Sequence, residues 1–321
     1  MKPEVLATAP LLPATLEMLE SSFALHRLWE QDDPDGFLEQ AGARMRGLAT
    51  STLFGRVDCR LLCRLPALEI VASFGVGYDN VDVAAAAARG IVVTNTPGVL
   101  DDEVADLTIG LLLATLRRIP QAERFLRDGR WPDGAFPLSP TLRGRRVGIL
   151  GLGAIGSAVA RRLDGFGVAV AYHGRSQQPG VGYLYHPTLK GLAEWCDVLI
   201  VLVPGGAATR RLVDRPVLAA LGPEGVLINV SRGSVVDEAA LIAALGSGVI
   251  LSAGLDVFED EPRVPQALID MPGVVLLPHI GSASAHTRAA MGQLLVDNLR
   301  CWFDGGRPLT PVSETRHLLR P

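Results

Sequence analysis

Three residues of types that recur in catalysis each follow an apolar stretch in the second half of the chain. They are Arg232 in "NVSRGSVVDEAAL", Glu261 in "AGLDVFEDEP" and His279 in "LLPHIGSAS". An arginine can pair with an anion, and a histidine can give or take a proton in general acid-base catalysis. Each residue alone is also ordinary, as an arginine opening a turn, a glutamate before a proline or a histidine after a strand. Their appearance at three successive strand ends is what indicates a site.

These three residues meet only if the apolar stretches belong to one sheet. Short apolar runs alternate with helical patterns along the chain, which predicts an α/β fold with two doubly wound parallel sheets. In an open sheet of this kind, ligands bind in the crevice outside the carboxyl ends of the strands. We therefore expect Arg232, Glu261 and His279 to converge there.

The second half of the chain supplies the six strands expected of a full dinucleotide-binding sheet. We predict them at "RRVGILGLG", "VAVAYHG", "DVLIVLVP", "GVLINVS", "ILSAGLDVF" and "VVLLPHI", followed by a final helix at "AHTRAAMGQLLVDNLRCWFDGG". The first part of the chain has strand patterns at "EVLATA", "GLATS", "LEIVASFG" and "IVVTN", and helical patterns at "PATLEMLESS" and "NVDVAAAAARG". The second of these helices is predicted to begin at Asn80 or Asp82 and to end at Gly90.

The length of 321 residues suggests two domains of about 150 residues each. A boundary is expected near Pro97–Gly98, because a long apolar helix opens just beyond it with Asp101, Asp102 and Glu103. Their negative charge suits a helix N-terminus.

The glycine residues Gly151, Gly153 and Gly156 form a G-x-G-x-x-G pattern between a predicted strand and a predicted helix. The first glycine makes the turn, the second lets backbone approach a pyrophosphate, and the third lets the helix pack on the strand. Amides at the helix N-terminus, including those of Ala154 and Ile155, then face the phosphates. Because of its strand and helix context, the pattern favours dinucleotide binding over a purely structural turn.

The next strand ends in "YHGRS", where NAD enzymes place an Asp or Glu for the ribose 2′-hydroxyl. Arg175 can pair with a 2′-phosphate and Ser176 can donate a hydrogen bond to it, so NADP(H) is the favoured cofactor and NAD(H) remains possible. The alternative is that Arg175 is a solvated loop cation. Tyr172 is expected to belong to the strand, and His173 is open between a second phosphate contact and no role.

Composition excludes several other classes of protein. The chain is 48% hydrophobic and 20% charged with a net charge of -4, which excludes a disordered chain and gives no basic footprint for nucleic acid. We expect no signal peptide and no membrane span, and hence a cytoplasmic protein with a small-molecule partner. The four cysteines are expected to be thiols without a metal site: Cys59, Cys63, Cys196 and Cys301.

Taken together and in this order, the motifs resemble the D-isomer-specific 2-hydroxyacid dehydrogenase family. The resemblance extends over nearly the whole chain, and it is much more specific than the glycine loop alone. It rests on "VASFGVGYDNVDV", "TPGVLDDEVADLTIGLLLA", "GRRVGILGLGAIG", "LINVSRGSVVDEAAL", "AGLDVFEDEP" and "LLPHIGSAS".

The resemblance implies a catalytic role for each of the three residues. Arg232 would pair with the carboxylate and carbonyl of a 2-oxo acid, and His279 would protonate the carbonyl oxygen as hydride arrives from the nicotinamide. Glu261 would hydrogen-bond the imidazole, fix its orientation and keep a protonated histidine available near neutral pH. In the reverse direction, neutral His279 would take the hydroxyl proton.

Other positions follow from the same resemblance. Asp256 would contact the nicotinamide carboxamide, with the capping of a turn as its structural alternative. The backbone amides of Val76 and Gly77 in "FGVGYDN" would hold the substrate carboxylate. The remaining expected cofactor contacts are Val203, Pro204, Val230, Ser231 and Gly281.

The resemblance also implies how the chain is divided. A flavodoxin-like substrate domain, residues 1–98 with 287–321, would carry a Rossmann cofactor domain inserted at residues 99–286, with a hinge near Gly98 and His286. The long helix near Asp102 to Arg118 and the arm "GRWPDGAFPLSPTLRG" would form the surface of a homodimer.

Within the family, Glu261 argues against the formate dehydrogenases, which have a neutral amide there. The "YHGRS" strand end and the chain length argue against phosphoglycerate dehydrogenases. We expect reduction of hydroxypyruvate or glyoxylate, with 2-ketogluconate reduction or that of bulkier 2-oxo acids as alternatives. A dinucleotide-sensing corepressor, a binding protein with the same fold, is the alternative of another class.

Overall fold

The computed structural model describes residues 2–52 and 54–319, and the chain in it forms two compact units. The first comprises the residues up to Leu100 and those from Ala283 on, and the second is Asp101–Ser282. Each unit is built on a parallel β-sheet with helices, so the prediction of two parallel-sheet α/β units is confirmed.

The first unit has a five-stranded parallel sheet in its described residues, with the strand order β2-β1-β3-β4-β5. The strands are β1 (Glu4–Ala7), β2 (Ala24–Arg27), β3 (Gly47–Ser51), β4 (Ile70–Phe74) and β5 (Val92–Thr94). This is a flavodoxin-like order. All four predicted strands are present, and β2 is an addition. The strand β2 lies at the lateral edge of the sheet and is half-buried throughout. A strand in this position does not need an apolar run, and its sequence "ALHR" has none that a prediction could detect.

Five helices accompany this sheet in the described part of the first unit. They are α1 (Pro13–Ser22), α2 (Pro34–Ala41), α3 (Cys59–Cys63), α4 (Val83–Ala88) and α12 (Ala285–Gly305). Of the two predicted caps for α4, the structure selects Asp82, whose carboxylate accepts a hydrogen bond from the amide of Ala85 at 3.0 Å. A capping carboxylate satisfies an amide that has no partner inside the helix.

The second unit has a seven-stranded parallel sheet, with the order β12-β11-β10-β9-β6-β7-β8. The strands are β6 (Arg146–Leu150), β7 (Ala169–His173), β8 (Leu184–Tyr185), β9 (Val198–Val201), β10 (Val226–Asn229), β11 (Ser252–Leu255) and β12 (Val275–Leu276). The order reverses between β6 and β9, as in Rossmann folds. The six predicted strands are confirmed, and β8 adds a two-residue edge strand too short to be detected in the sequence.

The helices of the second unit begin with one long helix. They are α5 (Asp101–Arg117), α6 (Ile119–Arg127), α7 (Ala154–Asp164), α8 (Leu189–Trp195), α9 (Arg215–Leu221), α10 (Glu238–Gly246) and α11 (Gln266–Ile269). The predicted long helix is α5, which ends where Arg118 takes a left-handed φ of 53°. At Gly254 a Cβ would lie 2.4 Å from Thr115 Oγ1, so only glycine lets α5 pack this closely on β11.

The central strands β9 and β10 are buried along their whole length. Helices on both faces of a parallel sheet remove it from water, which is why its strands are continuous apolar runs. Within the described residues, the longest apolar helices fall short of what crossing a membrane requires.

Candidate active site

A histidine and a carboxylate lie in direct contact beyond the ends of β11 and β12. His279 Nδ1 and Glu261 Oε2 are 2.6 Å apart, and the two side chains are 22% and 26% exposed. An ionised carboxylate can only accept, so Nδ1 carries the proton of this bond. His279 Nε2 has no polar partner among the described residues and is the ring atom left for a proton exchange.

Burial raises the pKa of Glu261, but other contributions outweigh it and hold this pKa below its ordinary value. The largest of these is the hydrogen bond with His279, followed by the charge of the imidazolium, the hydrogen bond from the amide of Phe258 and the charge of Arg232. The amide of Phe258 donates to Oε1 at 3.0 Å. Glu261 is therefore held as a carboxylate, the form that stabilises a cationic imidazole.

His279 stands on a strained turn that Asp256 holds. Its φ is 54°, a left-handed conformation that is uncommon outside glycine. Asp256 is 1% exposed at the end of β11, and its two carboxylate oxygens accept from the amides of Ile280 at 2.7 Å and Gly281 at 2.8 Å. Its own carbonyl accepts from the amide of His279 at 2.9 Å. Burial raises the pKa of Asp256, and the two amide hydrogen bonds oppose that rise.

These contacts make Asp256 the residue that shapes the histidine turn. The sequence had left the capping of a turn open as the alternative role of Asp256. The structure shows such a role, but the turn that Asp256 fixes follows the next strand, β12. Each carboxylate oxygen has a second lone pair, so the amide bonds leave acceptor capacity for a carboxamide.

Arg232 follows β10 and is held by its own loop. Asn229 donates from Nδ2 to the carbonyl of Arg232 at 3.0 Å, and its Oδ1 accepts from the amide and the hydroxyl of Ser231 at 3.1 and 2.9 Å. Arg232 Nη1 donates to the carbonyl of Ser231 at 2.7 Å. Asn229 was not predicted from the sequence. The available signal was an asparagine at the end of an apolar run, three residues before the arginine, because such a side chain can bind nearby backbone.

The structure brings the Arg232 loop against the chain that leads to Glu261. A Cβ at Gly233 would lie 1.9 Å from the carbonyl carbon of Phe258. Gly233 is therefore required where the two backbones touch. Like the role of Asn229, this role was not predicted from the sequence. Together with the charge effect of Arg232 on Glu261, this contact shows that Arg232, Glu261 and His279 lie in one neighbourhood of the second unit.

The three glycines after β6 have three different surroundings. Gly151 has φ 96°, donates its amide to the carbonyl of His173 at 2.9 Å, and would place a Cβ 2.8 Å from Val203 Cγ1. A Cβ at Gly156 would lie 2.2 Å from the carbonyl oxygen of Gly151. A Cβ at Gly153 would meet nothing within 4 Å, so this position is open to an approaching ligand.

The N-terminus of α7 also fits an anion. Gly153 is its N-cap and offers no side chain, whereas α8, α9 and α10 are capped by Thr188, Asp214 and Asp237. The amides that open α7, beginning with Ala154 and Ile155, are thus left to a ligand, as a pyrophosphate site requires. Pro204 follows β9 after Val203, and Val230 and Ser231 follow β10, where they are 8% and 9% exposed.

At the end of β7, His173 is already engaged by the protein. Its Nδ1 is 2.8 Å from the carbonyl oxygen of His186, and its ring stacks on that of Tyr185. Arg175 and Ser176 are exposed, and neither makes a polar contact within residues 2–52 and 54–319. A guanidinium and a hydroxyl without protein partners fit a phosphate at this strand end.

Val76 and Gly77 lie in the first unit, after β4. Asn95 Nδ2 donates to the carbonyl of Val76 at 2.8 Å, and the amide of Gly75 donates to Thr96 Oγ1 at 3.0 Å. The loop is thus held through its other polar groups, and the amides of Val76 and Gly77 have no acceptor in the described part of the chain. Such adjacent amides can bind an anion. Within the described residues, no three His, Cys, Asp or Glu side chains are placed to hold a metal ion.

Residues 109–281, more than half of the chain, match the family model described as D-isomer specific 2-hydroxyacid dehydrogenase, NAD binding domain. The chain belongs to this family. Glyoxylate/hydroxypyruvate reductase A of Arabidopsis thaliana is 45% identical over 96% of the chain and 98% of the relative. The 2-ketogluconate reductase of Gluconobacter oxydans is 41% identical over 97% and 99%.

A solved structure of another family member is also similar along the entire fold. It is the NADPH-dependent glyoxylate/hydroxypyruvate reductase of Sinorhizobium meliloti in complex with NADP and malonate. Its sequence is 55% identical, the likeness covers 100% of this chain and 99% of the relative, and the TM-score is 0.93. The family resemblance derived from the sequence is thereby confirmed.

The three glycine environments make a matched prediction about alanine substitutions. Gly156→Ala should lower the free energy of unfolding by about 1–3 kcal/mol, because its methyl meets a backbone oxygen that cannot move aside. Gly153→Ala should lower it by less than about 1 kcal/mol, yet weaken dinucleotide binding, because its methyl enters the open ligand space. Thermal unfolding without cofactor and a fluorescence titration with cofactor measure the two effects. Equal loss of stability in both variants would contradict the assignment.

Proposed function

We propose that this chain reduces a small 2-oxo acid, hydroxypyruvate or glyoxylate first, to the D-2-hydroxy acid with NADPH as the hydride donor. The observation that carries the proposal is the His279–Glu261 pair, with Nδ1 on the carboxylate and Nε2 without a polar partner among the described residues. The charge of Arg232 also acts on Glu261. The names of the Arabidopsis and Sinorhizobium relatives support the substrate class. The D configuration of the product rests on family membership.

The mechanism divides the work between three side chains. Arg232 binds the carboxylate and carbonyl oxygens of the 2-oxo acid with its planar set of donors. NADPH, when bound, supplies the hydride that reduces the carbonyl carbon. His279 gives the proton on Nε2 to the carbonyl oxygen as charge develops there, and Glu261 holds the imidazole in place and stabilises its cationic form before the transfer. Hydride and proton together convert the carbonyl to a hydroxyl.

The same groups serve the reverse reaction. Neutral His279 accepts the hydroxyl proton on Nε2, and the resulting imidazolium is stabilised by Glu261. Val76 and Gly77 hold the substrate carboxylate with their backbone amides, a role supported by the contacts of Asn95 and Thr96 that orient this loop. In this assignment, residues 1–98 with 287–321 form the substrate domain and residues 99–286 the cofactor domain.

Cofactor selection is assigned to the strand end after β7. Arg175 and Ser176 bind the 2′-phosphate in this assignment. Both are exposed, neither has a polar partner among the described residues, and they stand where NAD enzymes place a carboxylate. The Sinorhizobium relative is NADPH-dependent and was solved with NADP, which supports this choice. His173 contributes at most through Nε2, since the other ring nitrogen is bound to His186. The glycine loop, Val203, Pro204, Val230, Ser231, Asp256 and Gly281 form the remaining cofactor site.

The Gluconobacter relative favours one alternative in the same class, 2-ketogluconate reduction. The alternative of another class, a dinucleotide-sensing corepressor, predicts cofactor binding without useful turnover. The His279–Glu261 pair favours an enzyme, because cofactor binding alone does not require an imidazole oriented by a carboxylate.

We further propose a homodimer in the cytoplasm. Four large apolar side chains of α6 and the arm after it are exposed: Ile119 by 52%, Leu126 by 55%, Trp131 by 65% and Leu138 by 100%. Apolar side chains concentrated in one segment indicate a protein interface. All four cysteines are free thiols, as is usual in a reducing compartment.

The function is tested by a panel of 2-oxo acids, including hydroxypyruvate, glyoxylate and 2-ketogluconate, assayed with NADPH and NADH side by side. We expect NADPH oxidation with the smaller acids, and His279→Ala should lose at least about a hundredfold in kcat with little change in NADPH binding, since general acid catalysis contributes that much. Cofactor binding without turnover of any acid would instead indicate the corepressor. Retained turnover in His279→Ala would overturn the assigned acid.

The pH dependence follows from the low pKa of Glu261. Because this pKa is lowered, Glu261 stays ionised below the ordinary pH range of a glutamate, and its support of the cationic imidazole is lost only as the pH falls through the lowered pKa. In Glu261→Gln, reductive kcat/KM should be lower than in the wild type around neutral pH, because the amide places no charge beside the imidazole, and the acid-side loss that comes from protonation of Glu261 should be absent. Glu259→Gln is the control, because Glu259 pairs with Arg210 and Arg211 instead. An unchanged profile in Glu261→Gln would contradict the pair.

The dimer is tested by charge substitution on the arm. The wild type should sediment as a dimer, and Trp131→Asp with Leu138→Asp should shift it toward the monomer, because an unpaired charge in an apolar interface is costly. Leu251→Asp, at a side chain 40% exposed outside this segment, is the control. A monomeric wild type would refute the proposal.

A further inference from the structure

The loop that carries Arg175 and Ser176 is anchored at both of its ends, although its centre is exposed. At the first end, the carbonyl of Gly174 accepts a hydrogen bond from Tyr185 Oη at 3.3 Å. At the other end, the amide of Gln178 donates to Tyr172 Oη at 2.8 Å. We call residues 174–178 the selector loop.

The side chain of Gln178 makes a second contact, with the glycine loop. Its Nε2 donates to the carbonyl oxygen of Leu152 at 2.7 Å. Leu152 lies between Gly151 and Gly153, and its side chain is 4% exposed. Gln178 thus joins the selector loop to the loop assigned to the pyrophosphate, with one short hydrogen bond to the buried residue between its first two glycines.

The anchors themselves are firmly placed by the edge strand β8. Tyr172 pairs with Tyr185 in the parallel register of β7 and β8, and their ring centroids are 5.3 Å apart. Tyr172 is 1% exposed, and its carbonyl accepts from the amide of His186 at 2.8 Å. A buried, hydrogen-bonded ring cannot follow the movements of the loop, so its hydroxyl is a fixed point for Gln178.

We propose that Gln178 is a positioning residue for cofactor choice, which acts by holding the selector loop at a set distance from the glycine loop. The inference rests on the proposed use of Arg175 and Ser176 for the 2′-phosphate. One cofactor carries both the pyrophosphate and the 2′-phosphate, so the gain from Arg175 depends on how well the spacing of the two loops matches that of the ligand. A loop ordered beforehand loses less freedom on binding.

Binding of adenosine fragments measures this effect without the reaction. Calorimetry compares 2′,5′-ADP, which carries the 2′-phosphate, with 5′-AMP, which lacks it. Gln178→Leu should weaken the binding of 2′,5′-ADP by about five- to tenfold, which lies within the effect of one lost neutral hydrogen bond, and that of 5′-AMP by less than about twofold. Tyr172→Phe keeps the buried ring, removes the other contact of Gln178, and should show the same selectivity.

Turnover gives a second readout. In both variants, KM for NADPH should rise while kcat at saturating NADPH stays within about twofold of the wild type, because neither residue touches the reacting atoms. Gln177→Leu is the matched control, because Gln177 is the exposed neighbour and makes no polar contact in the described chain. It should leave both fragment affinities unchanged.

Arg175→Ala separates this inference from the proposed cofactor site. It should weaken 2′,5′-ADP more than about tenfold, as expected for a charge-assisted bond, and adding Gln178→Leu should then change the affinity by less than about twofold. No preference for 2′,5′-ADP in the wild type would overturn the NADPH assignment. A selective Arg175→Ala effect with equal losses of both fragments in Gln178→Leu would overturn the positioning role alone.

Discussion

The parallel pairing of the seven strands in the second unit is the constraint on which the candidate site depends. Because the strands share one direction, the segments that follow β6, β10, β11 and β12 all leave the sheet on the side where the strands have their carboxyl ends. The hydrogen bonds of the sheet continue past the strands, from the amide of Asp256 to Asn229 at 2.9 Å and from Leu277 to Leu255 at 2.8 Å. A shift of one residue in any of these strands would move each of its side chains to the opposite face of the sheet.

Buried polar side chains fix the turns that follow the carboxyl ends of these strands. Asp256 and Asn229 are each 1% exposed, and both use their side chains to bind backbone of the next functional loop. Burial of a carboxylate or an amide is costly unless hydrogen bonds replace those with water. The two residues meet that requirement by holding the turns of His279 and Arg232, so stability and placement of the site depend on the same bonds.

Glycine serves the site where backbones must touch. Gly156 and Gly233 leave no room for a Cβ beside another main chain, whereas Gly153 faces open space. The first two bring elements of the protein together, and the third leaves space for a ligand. The same distinction applies to polar groups: His173 is hydrogen-bonded within the protein, while Arg175 makes no polar contact with the residues that the structure describes.

The amino-acid sequence by itself determined the alternation of strands and helices, the glycine loop and the residue types at three strand ends, because periodicity and short motifs are local properties. It also showed directly that no carboxylate stands in "YHGRS" at the end of β7. It did not reveal the edge strands β2 and β8, which are too short or too polar to leave a pattern.

Only the tertiary structure decided which backbone groups each polar side chain binds. The bonds of Asp256 to Ile280 and Gly281, and of Gln178 to Leu152, join residues more than twenty positions apart. Such pairs depend on how the strands are arranged in space, and no local pattern in the sequence encodes that arrangement.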